Sequence, residues 1–315
     1  MIAAERLPGI RLSLRLSRFE LGFLGILMAL VVSASFGVAA QLDALAPPAV
    51  CFEPYELMPP AECDETSSAF YELQNRFGGL LLALLVAVPL LAGAILGVTI
   101  VAREVERGTA RLAWSMAPSR VHWYAVRLLP TLVVFGAVAF AAGVAADRLE
   151  GAVRPEMDMT TSFDAFGTRG VIVAGRAVFV FAIAVVVGSV MGRVLPALLV
   201  TAVIASVGIA GGTAVHQSWL RSEAVVLEDF DWQAGDLYLD QRFRLPDGSI
   251  VGWDYFDGGE PPYDDDGMPI YPEVVLGIPG ERYWAVQWRE MGALLGASFA
   301  ALAAAAVITN RRRPG

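Results

Sequence analysis

The chain has 315 residues, 56% of them hydrophobic and only 17% charged, with a mean hydropathy of +0.56. Soluble domains carry about 25% charged and 45–50% apolar residues, so disorder, collagen-like repeats and, given how the apolar residues cluster, a single soluble domain are all excluded. All 23 basic residues are arginine, and the formal net charge is −9.

A helix needs roughly 20 apolar residues to cross a hydrocarbon core about 30 Å thick, and six segments reach that length. Residues 1–20 precede them as a cytoplasmic amphipathic segment: Arg11, Arg15 and Arg18 share one helical face, with Leu12, Leu16 and Phe19 beside it. That pattern suits a helix along the inner leaflet, with simple snorkelling as the alternative. The first span is 21–40. Its basic head and the Val38-Ala39-Ala40 site imitate a signal peptide, but its apolar stretch exceeds the roughly 7–15 residues of a cleaved signal, which leaves cleavage as the minor alternative. An outer loop, 41–78, leads to the second span, 79–102. A loop at 103–127 leads to the third, 128–146, and an outer loop, 147–170, to the fourth, 171–191, where Arg176 is expected to snorkel. The fifth span is 195–215. A large acidic outer loop, 216–290, precedes the sixth span, 291–308, and a short tail, 309–315. Spans five and six are rich in Ala and Gly and are expected inside the bundle. Gly93…Gly97, Gly188…Gly192, Gly208…Gly212 and Gly292…Gly296 match G-x-x-x-G, read as close helix packing, with a dimer seam open for one of them.

Arginine placement orients the spans. The segments holding Arg6, Arg11, Arg15, Arg18, Arg103, Arg107, Arg111, Arg120, Arg127, Arg193 and Arg311 to Arg313 carry 13 Arg and four acids, whereas the opposite loops, counted over 42–78, 147–170 and 216–288, carry 8 Arg and 27 acids. Both termini and the 103–127 loop are therefore expected in the cytoplasm. The expected fold is an all-α polytopic membrane protein of the cell membrane with six transmembrane helices and both termini cytoplasmic. A small extracellular cap is expected to contain a β-hairpin.

Cys51 and Cys63, the only two cysteines, share the first outer loop, where an oxidising exterior favours a disulfide over two unpaired thiols. In the large loop, Arg242-Phe243-Arg244-Leu245 and Ser249-Ile250-Val251-Gly252-Trp253 flank Pro246-Asp247-Gly248, a hairpin pattern. Asp264-Asp265-Asp266-Gly267, near Asp254, Asp257 and Glu260, lacks EF-hand spacing and reads as a solvated acidic loop. No catalytic centre, metal site or cofactor site is expected in the chain. With no lysine there is no Walker A loop and no Schiff base. His122 and His216 fall on opposite sides of the membrane, so no H-E-x-x-H site and no Ser–His pair forms; Ser189 is read as a small packing residue.

The 103–127 loop is punctuated at both ends. Gly108 permits a break, Thr109 can cap a new helix, Ala110 to Met116 make about two turns, Pro118 stops them, and Ser119 caps the third span. The run Glu104-x-Glu106-x-Gly108-Thr109, then Pro118-x-Arg120 and Arg127, resembles the cytoplasmic signature of ABC-2 type ABC transporter permeases. Gly108-Thr109-Ala110-Arg111-Leu112-Ala113-Trp114 is similar to an actinobacterial-looking subgroup of them, and Arg282 to Glu290 adds a weaker likeness. The resemblance implies a permease subunit, an exporter rather than an importer. Its coupling helix, carrying Glu104, Glu106, Gly108, Thr109, Arg111, Pro118, Ser119 and Arg120, would dock on a cytosolic ABC ATPase subunit dimer that holds ATP and magnesium. A second permease copy or a paralogue would complete the path, with membrane lipids around it and no nucleic acid. The alternative is a membrane sensor or scaffold whose extracellular loop binds a ligand or partner; interfacial arginines and tryptophans alone also account for the loop's composition.

Overall fold

Each of the six apolar segments lies within one helix long and apolar enough to cross a bilayer. The computed structural model describes residues 18–52, 61–227, 235–256, 261–264 and 269–312; the side chains at 18, 49–50, 61–62, 64–66 and 111 are outside that description. Arg6, Arg11 and Arg15 of the amphipathic segment, Asp257, Glu260, Asp265, Asp266 and Gly267 of the acidic loop, and Arg313 lie outside the described residues. Two compact units are formed: Met1–Pro155, Gly167–Ala210 and Trp288–Gly315 make the first, Glu156–Phe166 and Gly211–Gln287 the second.

The helices are α1 (Arg18–Leu45), α2 (Ala61–Leu73), α3 (Gly79–Glu106), α4 (Ala110–Ser115), α5 (Arg120–Val153), α6 (Gly170–Met191), α7 (Val194–Glu223) and α8 (Tyr283–Arg311). A π-helical segment, Gln74–Gly78, joins α2 to α3 without a break. A disulfide links Cys51 to Cys63, with Cα atoms 5.8 Å apart, and holds the 3-10 turn Ala49–Phe52 beside the start of α2.

Lipid is as apolar as leucine, so helices in a bilayer gain little by burying apolar side chains and associate through close contact. Glycine supplies that contact between α3 and α6. A Cβ at Gly93 would come within 2.9 Å of the Ala177 carbonyl, at Gly97 within 2.5 Å of that of Phe181, and at Gly188 within 2.8 Å of that of Val98. The Gly93…Gly97 pair is thus a seam inside the chain. Phe135 of α5 stacks on Phe181 at 5.5 Å, and Leu96, Val101, Tyr124 and Leu128 complete this core. Ser189 is fully buried, its hydroxyl donating to the Val185 carbonyl at 2.7 Å.

One expectation is corrected. Spans five and six are not inside the bundle: 17% of each apolar window is buried, against 61% for α6. Ala and Gly make a helix thin, but the outward rows Leu195, Leu199, Val203 and Val207 on α7, and Leu295 and Phe299 on α8, face away from it. Arg176 reaches toward the outer end of its span, where it donates to the Gly167 carbonyl at 2.8 Å and pairs with Glu290 at 2.9 Å, which neutralises both charges locally.

The second unit is richer in strand than the expected hairpin. Strands β1 (Val225–Leu227), β2 (Leu237–Arg244), β3 (Ile250–Val251) and β4 (Glu273–Ile278) form one antiparallel sheet in the order β1-β4-β2-β3. The hairpin is present as β2–β3, with Phe243 opposite Val251 and Arg244 opposite Ile250. In its turn, the hydroxyl and backbone N–H of Ser249 both donate to Asp247, holding that carboxyl below its usual range. Phe243 is fully buried under Trp253 and Phe256. A separate cluster joins Phe163, Leu220, Ile278, Tyr283 and Val286, with Phe166 stacked on His216 at 5.3 Å.

Candidate functional site

The last turn of α3, the short α4 and the first turns of α5 lie at one end of the helical unit. The α3 helix closes when Arg107 donates its N–H to the Arg103 carbonyl and Gly108 to that of Val105. Gly108 then takes φ +67, a left-handed conformation that costs side chains other than glycine about 1–2 kcal/mol. This is the break that the loop's punctuation predicts. Ser119 caps α5 as expected, its extended backbone placing Oγ to accept from the His122 N–H at 3.1 Å.

Thr109 departs from expectation. Its carbonyl accepts the first helical bond of α4, from Ala113, but its hydroxyl caps nothing and instead donates to the Glu104 carboxylate. The physical reason is the backbone: Thr109 is helical, with φ −81 and ψ −9, and not in the extended conformation that brings an N-cap hydroxyl round to accept from the first N–H groups of the helix. Glu104 is also paired with Arg127 at 2.9 Å, so the start of α4 is tied to both α3 and α5.

Aromatic groups hold the other end of α4. Trp114 is buried, with its ring edge on to Trp123 at 6.2 Å. The Arg120 guanidinium lies over Trp114 at 4.8 Å, and that of Arg127 over Trp123 at 5.3 Å; such contacts contribute roughly 0.5–2 kcal/mol each. With Trp114 facing inward, the opposite side of α4 is presented outward: Leu112 is 63% exposed and Met116 is 73% exposed. They stand one turn apart, on one face.

The surrounding helix ends are engaged as well. Arg103 pairs with Glu20. Glu106 accepts the Val194 N–H at 3.0 Å, the start of α7. Arg120 donates to the carbonyls of Asn310 and Arg312 at 3.1 and 2.5 Å. Pro118 lies in the bend between α4 and α5. The Arg111 backbone belongs to α4, while its side chain lies outside the description. The structure thus brings Glu104, Glu106, Gly108, Thr109, Pro118, Ser119 and Arg120 together; Cys51 and Cys63 are joined to each other elsewhere in the unit.

The family described as ABC-2 membrane transporter related matches residues 21–217. The chain belongs to that family. It is a multi-pass membrane protein of the transporter-permease class, a class whose members work with an ABC ATPase subunit and are not themselves enzymes. No curated protein and no solved structure matches the chain. The matched region holds the first five spans and all of the 103–127 segment.

Three residues of this cluster leave little trace in the sequence. Leu112 and Met116 look like ordinary helix-core residues, and only the inward placement of Trp114 turns them outward. Arg312 is the third: it reads as a positive terminal charge, yet its guanidinium donates to the carbonyls of Ser189 and Val190. The signal available in sequence was the i, i+4 spacing of Leu112 and Met116 around an i+2 tryptophan.

Proposed function

We propose that this permease couples ATP hydrolysis on a separate cytosolic ABC ATPase subunit dimer to substrate movement across the cell membrane, as an exporter. In this reading the arginine-rich end faces the cytoplasm, α4 is the coupling helix, and ATP and magnesium reside on the partner. A second permease copy or a paralogue completes the path. The single observation that carries the reading is the exposed Leu112–Met116 face. A six-residue helix cannot hold itself together in water. Here it is braced by Trp114, Glu104 and Arg127, and it presents two large apolar side chains to the aqueous side, the arrangement of a helix that fills a groove on a soluble protein.

The lever works through rigid joints. Gly108 and the Ser119 cap set the angle of α4 against α3 and α5. A push on α4 as the two ATPase subunits close is delivered to spans two and three, and their tilt alternates access to the path. The unaltered permease is expected to co-purify with a P-loop ATPase and change its hydrolysis rate. The double variant Leu112→Asp, Met116→Asp is expected to lose at least nine-tenths of the bound ATPase while keeping its monodisperse elution in detergent. Full retention of the ATPase by that variant, or the absence of any ATPase partner, defeats the reading and favours a sensor or scaffold.

A further inference from the structure

Only spans two and three are joined to α4 by the chain itself; the α6–α7 hairpin and α8 have no covalent connection to it nearby. They are connected in another way. The last carbonyls of a helix lack intrahelical partners and carry partial negative charge, and the first N–H groups carry the opposite. At this end of the unit three helix termini are each satisfied by a charged side chain from a different element. The C-terminus of α8 is held by Arg120, through the carbonyls of Asn310 and Arg312. The C-terminus of α6 is held by Arg312, through the carbonyls of Ser189 and Val190. The N-terminus of α7 is held by Glu106, through the Val194 N–H.

Resting on the lever reading above, we infer that Arg120, Arg312 and Glu106 are positioning residues that fasten spans four, five and six to the coupling element, making Asn310 to Arg312 part of the transmission. The links close a ring. The Trp114 ring of α4 lies under Arg120; Arg120 grips the end of α8; Arg312 grips the end of α6; and the two-residue Gly192-Arg193 turn leads to Val194, which is gripped by Glu106 of α3. The fit at the turn is close. Gly192 has φ +64, and a Cβ there would lie 2.5 Å from the Arg312 Nη2. Both carbonyls are reached by Nη1 of the guanidinium, which brings a full positive charge to the negative end of α6 on a long side chain; a glutamine amide is neutral and shorter. A displacement of α4 therefore moves five of the spans together.

The test uses the full chain in lipid nanodiscs with its ATPase subunit and a bimane fluorophore on an introduced cysteine, either Val121→Cys on span three or Leu195→Cys on span five, both exposed positions. Cys51 and Cys63 are bonded to each other and do not compete for the label. Trapping the ATPase with ADP and vanadate is expected to shift both fluorophores. Arg312→Gln and Glu106→Ala are each expected to cut the shift at Leu195→Cys at least threefold and leave that at Val121→Cys unchanged. Arg312→Lys, which keeps the charge and one donor to the carbonyls, is expected to restore at least half. A shift at Leu195→Cys that survives both Arg312→Gln and Glu106→Ala overturns the inference. Fluorophores that stay silent at both positions in the otherwise unaltered chain overturn the lever reading instead. In that event amide hydrogen exchange of residues 189–197 in the permease alone decides the ring: a fivefold acceleration in Arg312→Gln supports it, and an unchanged rate overturns it.

Discussion

Gly108 sets the direction in which α4 leaves α3, and it does so with a backbone conformation open to few side chains. There is space around it: no atom lies within 4 Å of where a Cβ would stand, so a substitution meets strain and not a clash. Gly108→Val is expected to cost about 1–2 kcal/mol, more than an alanine change would, because a β-branched side chain is poorly tolerated at positive φ. The measurable outcome is a lower melting temperature in detergent together with ATPase activity no longer tied to transport. Gly108 and Ser119 were legible in the sequence because both act locally, one through its own φ and the other through an N–H three residues on. Thr109 does not cap because its backbone is already helical, a conformation that residue type does not dictate, and its hydroxyl proton goes to the Glu104 carboxylate. Arg120 belongs to the site through its motif, but its grip on Asn310 and Arg312 crosses 190 and 192 residues of chain and leaves no local trace.

The seam between α3 and α6 rests on backbone approaching backbone, which cannot yield as a flexible side chain would. Gly97→Leu is expected to abolish monodisperse expression, since its Cβ alone would sit 2.5 Å from the Phe181 carbonyl; Gly296→Leu, with nothing within 4 Å, is expected to elute as the unaltered chain does. Size-exclusion profiles of the two variants check both. The disulfide acts at the same scale. Its loop spans 12 residues of separation, and Cys63→Ser is expected to cost about 3 kcal/mol, read as a melting shift that dithiothreitol reproduces in the unaltered chain. The six helices were legible because length and apolarity alone identify a span. Which spans face outward was not, because Ala and Gly content reports a helix's thickness and not its neighbours. The β2–β3 hairpin announced itself through Pro246-Asp247-Gly248, while β1 and β4 are distant in sequence and pair through hydrogen bonds that no short pattern encodes.

Across the whole molecule, the orientation rests on the arginine bias. A membrane-impermeant maleimide applied to intact cells is expected to label Ser249→Cys and to leave Met116→Cys untouched until the membrane is permeabilised; the reverse pattern inverts every span. The continuous helix from Ser67 to Glu106 adds a consequence of its own. Forty residues of helix measure about 60 Å, twice the roughly 30 Å thickness of the hydrocarbon layer. One end adjoins α4, and the other stands as a mast near the cysteine staple. By simple trigonometry on that length, a swing of about 10° at the base carries the tip through about 10 Å. Events fuelled inside the cell would thus be broadcast at its outer surface, where an antibody or dye could follow each turnover without entering.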